Sequence, residues 1–177
     1  NLEKIPDRNG VNNRPPVDEI NVINVIGYAF DNMSQPDYIR YGKGQYIDEL
    51  KYKYSRVFDK VFYCAIQHRF KKIILSQFGL ASFSILYTDK NKLNLIWYEA
   101  LSMSLSNFAK ELKEIGEVEI SCMGTLNFNY GVVKSSGFKC STYGYIPDII
   151  KEIGSPNETL YVNAWDPWSI VGNGNYN

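Results

Sequence analysis

Four short apolar runs punctuate the chain, and between them lie two long segments whose apolar residues recur every three or four positions. The runs are "INVINVIGYAF" (20–30), "KKIILSQFG" (71–79), "EVEISCMG" (117–124) and "TLYVNAW" (159–165). Short, β-branched and apolar, they predict buried strands. Over 45–69, Ile47, Leu50, Tyr54, Val57, Val61, Cys64, Ala65 and His68 follow helical steps. Over 94–115, Ile96, Leu101, Leu105, Phe108 and Leu112 do the same. A shorter helix is expected over 146–154, with Pro147 in its first turn and Gly154 past its end.

The remaining segments read as connections. Residues 1–19 are rich in Asn and Pro and form an N-terminal arm before a domain spanning 20–177. Residues 31–44 read as a polar loop, and "LASFSILYTDKNK" (80–92) as a second loop. The stretch 125–145 is irregular, with room for a hairpin. Strands alternating with helices imply a mostly parallel sheet with helices on both faces. Ligands of such sheets bind beyond the carboxyl ends of the strands. That singles out the loops after Phe30, Phe78 and Trp165.

Composition narrows the partners. A length of 177 residues suits one domain with a core that needs no staples. Nineteen basic residues balance nineteen acidic ones. This argues against nucleic acid as a partner, which calls for excess Lys and Arg, and against attraction to an anionic membrane. No run is long and apolar enough to span a bilayer, and no signal-peptide pattern opens the chain. Cys64, Cys122 and Cys140 lack CxxC spacing and read as reduced thiols, so an intracellular, cytoplasmic setting is expected. The glycine-rich stretch at the end suggests a chain that continues past Asn177.

Three stretches could carry chemistry. In "SQFGLASFS" (76–84), Gly79, Ala81 and the serines, Ser82 among them, are small and let backbone N–H groups approach an anion closely. An ordinary strand-to-helix connection would look the same. In "NAWDPWSIVGNGN" (163–175), Asn163 stands where the strand ends and Asp166 follows in the loop. Ser169, Gly172, Asn173, Gly174 and Asn175 offer hydroxyl and amide groups and close backbone approach. A turn rich in Asx residues is the plainer alternative. In "GYAFD" (27–31), Phe30 could stack on a flat ring and Asp31 could accept from an amine, or Phe30 could be core and Asp31 a solvated turn residue. His68 is the sole histidine, and no metal-ligand set accompanies it. No metal and no cofactor are expected.

Two of these stretches resemble a known family. "VNAWDPWSIVGNGN" resembles the macro domain signature, and "KKIILSQFGLASFS" resembles its phosphate-loop strand and turn. The order from "INVINVIGYAF" through 45–69 to "FGLASFS" is similar to the poly(ADP-ribose) glycohydrolase-like branch. The Asn-Ala loop comes last here, as in a permuted member, Ala81-Ser82 replaces a glycine, and paired glutamates are missing as a motif. Similar Asn-Ala-Trp-Asp-Pro segments occur in macro-like domains of bacterial effectors and large viruses.

The resemblance implies a three-layer α/β/α domain with a mostly parallel, mixed sheet, acting as a monomer on ADP-ribose or an ADP-ribosylated protein. Asn163 would reach the distal ribose, and Asp166 would be the carboxylate at the reacting anomeric carbon. Ser169 and the backbone of 172–175 would follow the ribose and diphosphate. Gly79, Ala81, Ser82 and Phe83 would form the second wall, with Asp31 on the adenine amine and Phe30 against the ring. The implied activity is hydrolysis of ADP-ribosyl groups from a modified protein, in the host cytoplasm for an effector. The alternatives are a reader that binds without turnover, and an α/β nucleotide-binding or interaction domain in which Trp165 and Trp168 anchor a protein partner.

Overall fold

The computed structural model of the protein describes residues 20–123, 128–143 and 156–164. Their order is β1 (Asn21–Val25), α1 (Pro36–Tyr41), α2 (Ile47–Gln67), β2 (Lys72–Leu75), α3 (Lys90–Ile115), β3 (Glu119–Met123), α4 (Tyr130–Ser135), β4 (Thr142–Tyr143) and β5 (Thr159–Ala164). The strands form one sheet in the order β1-β5-β2-β3-β4, and every described pairing is parallel. The α/β class expected from the sequence is therefore present, while the antiparallel component of a mixed sheet is not seen among the described residues.

Connection handedness places the helices. The steps β1→β2, β2→β3 and β3→β4 all run in the same direction across the sheet. Right-handed crossovers then put α2, α3 and α4 on one face, and α3 packs against both α2 and α4. Ile73, Leu75, Ile120, Cys122, Leu160 and Val162 belong to the same core cluster as these helices. The intervening Ile74, Ser121, Tyr161 and Asn163 are buried on the opposite face, so the central strands are covered on both sides. The helix expected over 146–154, which would supply a layer there, lies outside the described residues.

Helix α2 buries Leu50, Tyr54, Phe58, Val61, Phe62 and Ala65, a single stripe at three- and four-residue steps. Asp89 caps α3 by accepting from the Lys92 N–H at 3.1 Å, so this helix starts four residues earlier than its apolar pattern suggests. It buries Leu93, Ile96, Trp97, Ala100, Leu101, Leu105 and Leu112. Ser104 Oγ donates to Asp59 Oδ1 at 2.7 Å and ties the two long helices together.

Two connections hold more structure than the sequence suggests. The polar stretch 31–44 contains α1, opened by Pro36 at its first turn. The irregular stretch 125–145 yields α4 and a two-residue parallel strand rather than a hairpin. In both, the elements span at most six residues, too few for a periodic pattern to declare itself.

Candidate functional site

The loops that leave β1 and β2 meet beyond the carboxyl edge of the sheet. Their backbones cross at Gly27 and Gly79: a Cβ added to Gly27 would stand 2.4 Å from the Gly79 Cα. Gly79 itself sits at φ +79°, a region open to glycine at little cost. The Phe30 N–H donates to the Phe83 carbonyl at 2.6 Å, and the Leu86 N–H donates to the Phe30 carbonyl at 2.9 Å. Asp37 Oδ2 accepts from the Ala29 N–H at 3.0 Å. Thr88 gives both its N–H and its hydroxyl to the Gly42 carbonyl, joining the second loop to the end of α1.

Within the second loop the carbonyls are engaged and most N–H groups are not. Ser84 Oγ lies 2.8 Å from both the Leu80 and the Ala81 carbonyl. Among the described residues, no hydrogen bond uses the N–H of Gly79, Ala81, Ser82 or Phe83, whereas Leu80 and Ser84 donate to Gln77 and Ala81. Ala81 and Ser82 are exposed and Phe83 is half-buried. Exposed N–H groups bunched in one turn form a concavity suited to anions. The segment is held from beneath by Trp97, whose Nε1–H donates to the Phe78 carbonyl at 3.2 Å. Gln77 Nε2 donates to Tyr98 Oη at 2.9 Å, and that oxygen also accepts from the Asn129 N–H.

On the opposite face of the sheet, Asn24 and Asn163 are register partners across β1 and β5. Asn163 Nδ2 donates to Asn24 Oδ1 at 2.7 Å. Ser76 follows β2 on the same face, its N–H bonded to the Val162 carbonyl. Asn24, Asn163 and Ser76 thus form a polar row across three neighbouring strand ends. Pattern reading alone had found Asn163. Asn24 carried no signal and Ser76 only as the first residue of the 76–84 stretch, because their pairing with Asn163 lies in the register.

The described candidates do not share one environment. Gly79, Ala81, Ser82 and Phe83 are brought beside the Phe30–Asp31 segment. Asp31 is exposed and accepts from Gln35 Nε2 at 3.2 Å. Phe30, expected against a ligand ring, is fully buried and packs edge-on against Tyr87 at 4.9 Å. Its ring is core, because both its backbone groups are spent on stitching the loops and its side chain points between them. Asn163 is 3% exposed, so its amide orients the end of β5 rather than standing open. Asp166, Ser169, Gly172, Asn173, Gly174 and Asn175, with Trp165 and Trp168, lie outside the described residues.

Burial keeps the phenols around the two loops neutral. Tyr28 is pushed up to about 12, by burial first and then by the nearby Asp37 and Tyr41. Tyr54 is raised further by near-complete burial, and Tyr87 by burial and then Asp89. All three stay protonated at neutral pH and do not serve as bases.

Two open cavities among the described residues lie elsewhere. One of about 380 Å³ is lined by Lys113, Gly116, Glu117, Lys134, Phe138 and Lys139, and one of about 200 Å³ by Lys71, Lys72, Glu119 and Glu158 among others. Both sit at the amino edge of the sheet. Their charges are largely paired: Lys71 with Glu158 at 2.6 Å, Lys72 with Glu119 at 3.5 Å, and Lys139 with Glu117. In the larger cavity, Lys113 and Lys134 occupy the last turns of α3 and α4, where cations complement the helix dipole. These features account for the lysines without a ligand, so the carboxyl edge is the better candidate. Among the described residues no group of three or more His, Cys, Asp or Glu could hold a metal ion, and no helix is long and apolar enough to cross a membrane.

Fold and site together define a parallel α/β protein with two interlocked glycine-bearing loops at the carboxyl edge of its sheet. Compared with known proteins, the chain matches no family model, no curated protein and no solved structure.

Proposed function

We propose that the chain binds ADP-ribose at the carboxyl edge of its sheet and hydrolyses ADP-ribosyl groups from a modified protein. The observation that carries the binding half is the turn after β2, where Ala81, Ser82 and Phe83 present N–H groups with no acceptor among the described residues. Such groups offer a diphosphate ready-made donors at no reorganisation cost. The exposed carboxylate of Asp31 lies on the adjoining loop, stitched to that turn through Phe30, and supplies an acceptor for the adenine amine. The resemblance of "VNAWDPWSIVGNGN" to the macro domain signature supplies the other wall: Ser169 and the 172–175 backbone on the ribose and diphosphate, with Asn163 holding the start of that loop.

Catalysis rests on Asp166. A carboxylate beside the anomeric carbon stabilises an oxocarbenium-like transition state and orients water. The carboxylates on the first loop and α1 are less suited, since Asp37 is committed to the Ala29 N–H and Asp31 to Gln35. A reader without turnover is the second reading, favoured by this engagement of Asp31 and Asp37.

Titration with ADP-ribose, followed by calorimetry and tryptophan fluorescence, tests the binding half. The expected result is a micromolar Kd, about −8 kcal/mol. No binding by a folded protein extending through Asn177 overturns it. Release of ADP-ribose from a modified protein, lost in Asp166→Ala while binding persists, distinguishes the hydrolase from the reader.

A further inference from the structure

Asparagine is disfavoured in strands, yet two of them face each other across the carboxyl ends of β1 and β5. Strand β5 is buried at every position, so Asn163 gives up hydration to stand there. In return its Nδ2 donates to one particular oxygen, Asn24 Oδ1, at 2.7 Å. A pair of valines would join the same two strands without that desolvation. Local departures of this kind gather at functional sites.

The bond settles which way the Asn24 amide points. With Oδ1 turned to Asn163, the Nδ2 group is turned away from β5. Asn24 is exposed, and among the described residues no other hydrogen bond uses its carboxamide. Two N–H donors therefore stand open to solvent in a fixed orientation. A buried amide that holds an exposed one preorganises a binding group: the supporting residue locks the rotamer, and the exposed residue meets the ligand.

The position of the pair fits one part of ADP-ribose. Asn24 lies three residues before Gly27, and its partner Asn163 three residues before Asp166. In the reading above, the diphosphate and the adenine are taken by the 81–83 turn and Asp31. What remains to be held on the Asp166 side is the distal ribose, a neutral sugar whose hydroxyl oxygens accept from N–H donors. The sequence resemblance gave that ribose to Asn163, which is 3% exposed. The exposed amide that Asn163 holds is Asn24.

We propose that Asn24 is a binding residue for the distal ribose of ADP-ribose, its Nδ2 donating to a sugar hydroxyl while Asn163 keeps it aimed. The inference rests on the ADP-ribose reading and adds the residue that tells ADP-ribose from ADP.

The test titrates wild type and Asn24→Ala with ADP-ribose and with ADP, which lacks the distal ribose. Expected is a roughly tenfold higher Kd of the variant for ADP-ribose, the worth of one hydrogen bond, with an unchanged Kd for ADP. Asn24→Asp keeps an acceptor for Asn163, and by losing the side-chain N–H pair it assigns the Asn24 amide signals in the nuclear magnetic resonance spectrum of wild type. Those signals should shift with ADP-ribose and not with ADP, a readout that holds even where Asn24→Ala fails to fold. Equal losses for the two ligands make the role of Asn24 structural and overturn the inference. Unchanged affinities, amide signals indifferent to ADP-ribose, or a wild type that binds ADP as tightly as ADP-ribose also overturn it, while leaving the binding site standing. A wild type that binds neither ligand removes the underlying reading and this inference with it.

Discussion

Trp97 Nε1–H donates to the carbonyl of Phe78 at 3.2 Å, in the core and across nineteen residues of sequence. The bond runs from the N-terminal third of α3 to the turn after β2, and the indole is wholly buried among Phe58, Phe78 and Phe128. Trp97→Phe keeps much of the packing but leaves a buried carbonyl unpaired, which costs about 1–3 kcal/mol. Trp97→Ala adds a cavity and should cost about 3–5 kcal/mol. Urea denaturation checks both, as a lower midpoint at unchanged slope.

The crossing of Gly27 and Gly79 forbids any side chain on the first residue. Gly27→Ala would drive its Cβ into the Gly79 backbone at 2.4–2.5 Å, and backbone atoms cannot swing aside as a flexible side chain can. Overpacking of this kind costs about 1–3 kcal/mol or more. Gly44 is the contrast: its φ is +75° but a Cβ there meets nothing within 4 Å. Gly44→Ala should cost only the left-handed penalty of about 1–2 kcal/mol and leave ADP-ribose affinity untouched. Thermal unfolding and calorimetry on the two variants separate crowding from conformational strain.

The pair Asn24–Asn163 joins β1 to β5 beyond their backbone ladder. Removing the exposed partner, in Asn24→Ala, strips an acceptor from the buried Asn163 amide and should cost about 1–3 kcal/mol. A double-mutant cycle with Asn163→Ala should return a coupling of about 1 kcal/mol. A coupling near zero would mean that the 2.7 Å contact contributes nothing to stability.

Acid should release one surface contact. Glu49 accepts from Arg40 Nε at 3.0 Å and from the Tyr41 hydroxyl at 2.6 Å. These bonds, Arg40 first, hold its carboxyl down at about 2. A carboxyl lowered in the folded state adds stability that is fully present above its unfolded value, near 4.5, and is lost as pH falls toward 2. Glu49→Gln should therefore be less stable than wild type near neutrality, match it near pH 2, and flatten the acid limb of stability between those values. The pair is largely exposed, so added salt should shrink the difference. Unfolding measured from pH 5 to pH 2, at low and high salt, checks the sign.

Periodicity carried most of the architecture. The two long helices declared themselves because a buried stripe must recur every turn, and α2 and α3 bury the faces their spacing requires. The strands were legible as apolar runs because a central parallel strand is covered on both sides, as β5 is throughout. Their lengths were less legible. The run 20–30 is a strand only over Asn21–Val25, since from Ile26 onward the chain leaves the ladder to cross the second loop at Gly27. Helices α1 and α4 stayed hidden because one turn and a half leaves no period to count. In the candidate site, small residues drew attention to Gly79, Ala81, Ser82 and Phe83, but nothing in their spacing told which N–H groups would lack acceptors. Phe30 looked like a ligand-facing aromatic because strand-end position and chemistry were all that could be seen.

What the sequence by itself determined is the kind of element at each place and the class of fold: apolar runs and helical stripes must bury themselves, and their alternation leaves a parallel sheet as the way to do it. What only the tertiary structure decided is which residues meet. Strand order put β5 between β1 and β2, and that order brought Asn24 to Asn163 and the loop of Gly27 onto the loop of Gly79. Burial is a local demand that each segment states for itself, whereas adjacency between segments more than a hundred residues apart is settled by how the whole core packs.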